Sequence, residues 1–204
     1  METPYLISST QILTLFFIML GPMRLLGPFL QESKSLTKSQ IHDIAWRAAL
    51  ISAVALMICG YIGKILLDNW SIPIPILNLT SGLIFFIVAM TLIIKPKAPP
   101  PPSAQASEPA PTGLSTALKM VITPYGAAIL IGLLALSKEP ARDQIILINL
   151  VIVMFLNYLA MFFIRQIMGK VGMLIMQLLG VVLGVLQAAL ALNMIYLSIK
   201  MLTS

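Results

Sequence analysis

Gly21-Pro22-Met23-Arg24-Leu25-Leu26-Gly27-Pro28 interrupts an apolar run that otherwise extends over residues 6–30. Proline removes a backbone donor and glycine adds conformational freedom, so a helix carrying two of each in eight residues must kink, unwind or turn back. Inside a bilayer that is tolerated only where neighbouring protein or a wet cavity satisfies the freed backbone groups. The bland explanation is a packing kink, because both residues are commoner in membrane helices than in soluble ones. A second interruption, Thr123-Pro124-Tyr125-Gly126, falls in the first span of the second half. Paired breaks in corresponding spans point to a transporter binding site. The candidate binding residues there are Gly21, Pro22, Arg24, Gly27 and Pro28 in the first break, and Thr123, Pro124, Tyr125 and Gly126 in the second, with Arg24 either snorkelling to the cytoplasmic interface or held inward as an anion contact.

Around these breaks the chain is membrane-like throughout. Its 204 residues are 59% hydrophobic and only 10% charged, with a mean hydropathy of +0.98, which is too apolar for a soluble domain. Six runs reach the roughly 20 residues that a spanning helix needs: 5–30, 44–67, 72–94, 115–136, 144–164 and 171–202. An all-α polytopic membrane protein of six transmembrane helices follows, with the first and fourth spans broken. No basic n-region precedes the first span, so it is expected to be retained. Thr37 followed by Gln40 fits a capping box, which would start the second span as a helix outside the membrane.

A proline-rich segment divides the chain. Residues 96–112, with four consecutive prolines at 99–102, cannot bury a core and lack helical donors, so they read as an extended tether. Residues 1–95 and 113–204 then form two sets of three spans. Gly82 and Ala89 of the third span are echoed by Gly184 and Ala191 of the sixth, each followed by an apolar pair, Leu92-Ile93 and Met194-Ile195. Because three is odd, a genuine repeat must enter the membrane upside down. Nine Lys and Arg residues lie on the side carrying the tether against four on the other. By the positive-inside rule the tether is cytoplasmic and both termini are periplasmic. The net charge of +6 is mostly this asymmetry, and no nucleic-acid partner is implied.

Polar groups inside the spans are few. Asn78, Ser81, Asn149, Asn157 and Asn193 can line a path or bond one helix to another, and Gly180 and Gly184 begin a small-residue seam that lets helices approach closely. The only histidine, His42, has no companion ligand, and no metal or other cofactor is expected. Cys59 reads as a small apolar residue. All seven carboxylates fall near span ends or in loops, so no proton relay within the membrane is visible, while sodium held by break carbonyls, or passive flux, stays open. The chain has no nucleophile–base pair and no phosphate-binding loop, which argues against an enzyme.

The broken first span, Leu36-Thr37-Lys38 leading into Ile44-Ala45-Trp46-Arg47-Ala48-Ala49-Leu50, Gly63-Lys64-Ile65-Leu66, Ser81-Gly82, and Leu183-Gly184 running to Asn193-Met194-Ile195 resemble the MarC family of bacterial integral membrane proteins. The resemblance covers nearly everything but the proline tether. It implies a six-span inner-membrane protein, grouped with LysE-type exporters and transporters of small neutral amino acids. The break departs from the family pattern: Gly21 stands where Asp is expected, Arg24-Leu25 where Gly-Asn is, and Tyr125-Gly126-Ala127 replaces a Gly-Pro-Gly-like segment. Two readings follow. One is a transporter or permease of small polar solutes, neutral amino acids among them. The other is a non-transporting membrane subunit that binds a partner protein's transmembrane helix, or a second copy, or handles lipid.

Overall fold

The computed structural model describes residues 8–94, 111–137, 139–167 and 170–203, among which there are helices and no strand. The proline tether expected at 96–112 lies outside the described residues except for its last two positions. In chain order the helices are α1 (Ser9–Met19), α2 (Pro22–Glu32), α3 (Lys38–Asn69), α4 (Ile74–Ile94), α5 (Gly113–Thr116) continued by a π-turn (Ala117–Val121), α6 (Pro124–Leu136), α7 (Pro140–Phe162), α8 (Ile164–Ile167) and α9 (Lys170–Thr203).

Local sequence sets most of the helix starts. Thr37 caps α3 through a reciprocal pair, the Gln40 amide donating to Thr37 Oγ1 at 3.3 Å and the Thr37 amide to Gln40 Oε1 at 2.8 Å. Ser8 with Gln11 and Thr112 with Ser115 make the same box at α1 and α5. Proline occupies the first turn of α2, α6 and α7, where its missing donor costs nothing and its fixed φ suits a helix.

Three helical stretches are long and apolar enough to cross a membrane: α3, α7 and residues Leu178–Thr203 of α9. A fourth is added if Gly113–Val121 and Pro124–Leu136, bent by 72° at their break, count as one span. Ser9–Met19 and Ile74–Met90 are apolar but shorter. The six apolar runs of the sequence are therefore helical, while the count of full spans by length is three or four. The shortfall has a physical cause at the first span, where the break leaves two pieces of 11 residues, each about 16 Å long at ~1.5 Å per residue.

Of the long helices α7 is the innermost, with 44% of its apolar window buried against 17% for α3. It packs along α1 and α2 on one side and α3 on another, while α3 packs along α5, the π-turn and α6. α4 and α9 form the longest contact, antiparallel: Asn78 reaches Ser198, and Gly82 lies against Ile195 and Ala191. The outward faces carry Ile58, Ile62 and Ile65 of α3 and Val181, Val182 and Val185 of α9, all exposed. A continuous apolar exterior of this kind is stable only where the surrounding solvent is lipid.

The buried core is split into two clusters. One joins Phe16 and Leu20 of the first broken pair with Leu56, Val121, Leu130, Met154 and Met194. The other joins Leu25, Leu26 and Phe29 with Ala45, Ala48, Ala117, Ala160 and Met161. The division falls at the level where α1 gives way to α2.

Candidate functional site: the meeting of two helix breaks

The first break is narrower than the stretch that announces it. α1 ends with the Leu20 amide on Phe16 O at 2.7 Å, Gly21 is extended, and Pro22 starts α2. Pro28 does not break the chain again: it is carried inside α2, half-buried beside Gly27. Gly21 is required by a close approach, because a Cβ there would stand 1.9 Å from the carbonyl oxygen of Phe17, a backbone atom that cannot yield. No side chain caps the N-terminus of α2. Its first free amides, on Met23 and Arg24, therefore form the positive end of the helix, next to buried Gly21 and Pro22.

At the second break the π-turn closes with the Ile122 amide on Ala117 O at 2.8 Å, Ile122 and Thr123 are extended, and Pro124 starts α6. Here the helix end is capped from within: the Gly126 amide donates to Thr123 Oγ1 at 3.0 Å. The two proline-started helices thus differ in one chemical respect, since α6 has an internal cap and α2 has none.

The breaks touch. A Cβ on Gly126 would lie 2.1 Å from Leu20 Cδ2, so the leucine that ends the first half-span rests on the glycine that begins the second. Asn157 of α7 joins them, donating from Nδ2 to the Leu20 carbonyl. Asn157 is fully buried and its Oδ1 has no partner. Other buried polar atoms without hydrogen-bond partners include Ser52 Oγ on α3 and Thr116 Oγ1 on α5, as well as Asp143 Oδ1 and Gln187 Oε1. Ser52, Thr116 and Asn157 stand near the boundary of the two core clusters in their own helices. Ser52 lies between Ala48 of one core cluster and Leu56 of the other, Asn157 between Met154 and Ala160, and Thr116 next to Ala117 and ahead of Val121. Orphaned buried polar groups cost about 1–3 kcal/mol each, and native proteins keep few of them. Such groups near the boundary of two apolar clusters, with an uncapped helix end next to Leu20, have the chemistry of a small polar-solute site. It is closed in this conformation, for Phe16, Leu20, Leu25 and Val121 are at most 3% exposed.

Of the residues that the sequence singled out, Gly21, Pro22, Thr123, Gly126 and Asn157 are thus brought together. Arg24 has its backbone in α2, and its side chain lies outside the described structure. Pro124 and Tyr125 face outward, Tyr125 with 44% of its surface exposed. Asn78, Ser81 and Asn149 serve helix contacts: Asn78 donates to Ser198 Oγ at 2.9 Å and Met194 O at 3.3 Å, Ser81 lies against Gly132, and Asn149 donates to Ser9 Oγ at 3.2 Å. Asn193 is exposed, Gly180 half-buried and Gly184 buried, all on α9 away from the junction. Ser52 and Thr116 are additions that sequence reasoning missed. Their one signal was a hydroxyl within a largely apolar span, which is indistinguishable in sequence from one that back-bonds its own helix.

Two polar ties hold the ends of the bundle. Lys64 of α3 meets Asp143 of α7 at 2.6 Å, both largely buried, with Asp143 Oδ1 unpartnered. At the opposite end Arg165 donates from Nη2 to the carbonyls of Ser33 and Leu36. No group of three or more potential metal ligands occurs among the described residues. In comparisons with known proteins, residues 6–203 match the family described as MarC family integral membrane protein. No curated protein and no solved structure matches the chain.

Proposed function

The chain belongs to the MarC family of integral membrane proteins, and from that premise we propose that it is a permease for small polar solutes with both a negative and a positive end, neutral amino acids being the fitting class. The observation that carries this reading is the uncapped start of α2 next to Leu20, whose carbonyl is held by buried Asn157 with its Oδ1 unpartnered. A carboxylate suits the amides of Met23 and Arg24, because a helix N-terminus offers donors and partial positive charge together. An ammonium suits Asn157 Oδ1, with the Ser52 and Thr116 hydroxyls able to donate or accept as the solute requires. No bond is made or broken in the solute, so the reading is of transport and not of an enzyme.

Six spans in two inverted sets of three belong to the same proposal, with residues 1–95 and 113–204 as the sets and the tether between them. Gln187 Nε2 donates to Phe85 O across a separation of 102 residues. The same separation relates Pro22 to Pro124, the capping positions Thr37 and Glu139, and Gly82 to Gly184. Residues equivalent under a two-fold axis touch one another only where the axis passes, which is the behaviour of Phe85 and Gln187. The neighbours exchange as an inverted pair requires: α3 packs on α5 and α6, as α7 packs on α1 and α2.

The test is uptake of labelled alanine and serine into proteoliposomes holding the purified protein. The Asn157→Leu variant should lose at least about tenfold in flux while keeping expression and monodispersity. If the unaltered protein moves neither solute, nor other small zwitterions in competition, the permease reading fails.

One observation favours the second reading. An apolar groove of about 570 Å³ on the lipid face, lined by Ala55, Ile58, Cys59, Ile62, Gly63, Leu66 and Ile131, could receive a partner's helix. Stoichiometric co-purification of a second membrane protein, abolished by Gly63→Leu, with no solute flux, would establish that alternative.

A further inference from the structure

Away from the breaks, the end of the bundle where α3 begins and α7 finishes holds a second site. A cavity of about 250 Å³ lies there, lined by Lys38, Ile41, Phe162, Phe163, Arg165 and Gln166. Its chemistry is divided. Its lining supplies two cations and an amide together with an aliphatic and two aromatic side chains, the rings of Phe162 and Phe163 meeting edge to face at 4.8 Å.

Both cations have capacity to spare. Arg165 is held in place by the two carbonyl bonds from Nη2, and its Nε and Nη1 make no further bond among the described residues. Lys38 is exposed and makes no hydrogen bond or ion pair among them. The nearest carboxylate along α3, Asp43, is already paired with Arg47 at 2.9 Å. No acidic side chain lines the cavity.

Depth fixes the kind of anion. Trp46, 54% exposed, and Tyr158, whose hydroxyl is 3.1 Å from His42 Nδ1, form an aromatic group of the kind that sits at the membrane–water boundary. Lys38 is eight residues before Trp46 on the same helix, about 12 Å further out at ~1.5 Å per residue, which is the headgroup level. The apolar side of the cavity continues onto exposed Phe155 and Phe162, which face the hydrocarbon.

We propose that this cavity binds the phosphate of an anionic phospholipid, Lys38 and Arg165 holding the phosphate oxygens while Ile41, Phe162 and Phe163 lie against the glycerol and the first acyl carbons. A zwitterionic headgroup is disfavoured because no carboxylate lines the cavity to balance its ammonium beside two cations. A free phosphate would leave the apolar wall without contact. The site is independent of whether the helix breaks carry a solute.

The experiment uses the full chain, purified and delipidated in neutral detergent, with bound lipid counted by native mass spectrometry and thermal midpoints read in parallel. Dioleoyl phosphatidylglycerol should bind about tenfold more tightly than dioleoyl phosphatidylcholine and raise the midpoint further. Lys38→Gln, a change at an exposed position, should remove most of that preference, and Arg165→Lys should weaken it while keeping a charge. Lys34→Gln, a basic change on the same loop outside the lining, should leave it unaltered. Equal binding of the two lipids overturns the proposal, and so does an equal loss in Lys34→Gln, which would mean diffuse attraction. Stabilisation by glycerol 3-phosphate alone, matching that by the lipid, would identify a soluble-anion site and overturn the assignment to lipid.

Discussion

Gly21 and Ser52 make opposite predictions, and the contrast separates fold from function. At Gly21 an added methyl meets a backbone oxygen at 1.9 Å, so Gly21→Ala must move α1 against α2 and should destabilise by about 3 kcal/mol, read as loss of detergent-resistant fold or a fall in thermal midpoint. Ser52 carries a buried hydroxyl with no partner. Removing it in Ser52→Ala relieves an unmet bond, so stability should hold or rise by about 1 kcal/mol while solute flux falls. A purely structural serine would show no change in flux, and uptake measured beside the midpoint distinguishes the two. The glycine was legible from sequence because Gly-Pro has few explanations within an apolar run. The serine was not, since its meaning depends on which carbonyls and hydroxyls stand nearby, and that is decided by tertiary packing.

Elements were read well where a local signal sufficed. The Thr37–Gln40 box starts α3 as its spacing required, and Pro22 and Pro124 each begin a helix rather than bending one. Pro28 was misjudged as part of the break because the context of α2, packed through Leu25, Leu26 and Phe29, outweighs the single lost hydrogen bond. The Lys64–Asp143 tie between α3 and α7 was invisible, being a contact between residues 79 positions apart. With side chains only 18% and 14% exposed, it lies between a surface pair and a buried one. Asp143→Asn should therefore cost about 2 kcal/mol by leaving Lys64 unneutralised. The exchange Lys64→Asp with Asp143→Lys should restore much of the loss, and chemical unfolding of the single and double variants measures it.

For the whole molecule, charge placement predicts the side of the membrane. Cysteines at Ser103 and Ser204, in a chain with Cys59 replaced, should differ toward an impermeant thiol reagent in spheroplasts, position 204 labelling and position 103 protected. Labelling of position 103 reverses the topology. Deleting Pro99 to Pro102 should leave insertion and flux nearly unchanged, because closure entropy varies slowly with tether length, and uptake by the shortened chain is the measurement. What sequence could supply at this scale was the echo of Gly82 and Ala89 in Gly184 and Ala191. What it could not supply was the pairing of α4 with α9, because apolar helices carry little in their composition to name their neighbours. The two breaks, related by a shift of 102 residues, are not identical: one leaves a bare amide end on the helix that follows it, and the other follows a π-turn, bends by 72° and caps itself with Thr123. If the halves are inverted copies, they can exchange places but not caps, because Gly21 stands 102 residues before Thr123 and has no hydroxyl to give. An opposite-facing state would then keep its bare amide end on residues 9–32 and its self-closed end on residues 113–136, so the membrane's two sides would meet unequal gates and not mirror copies of one.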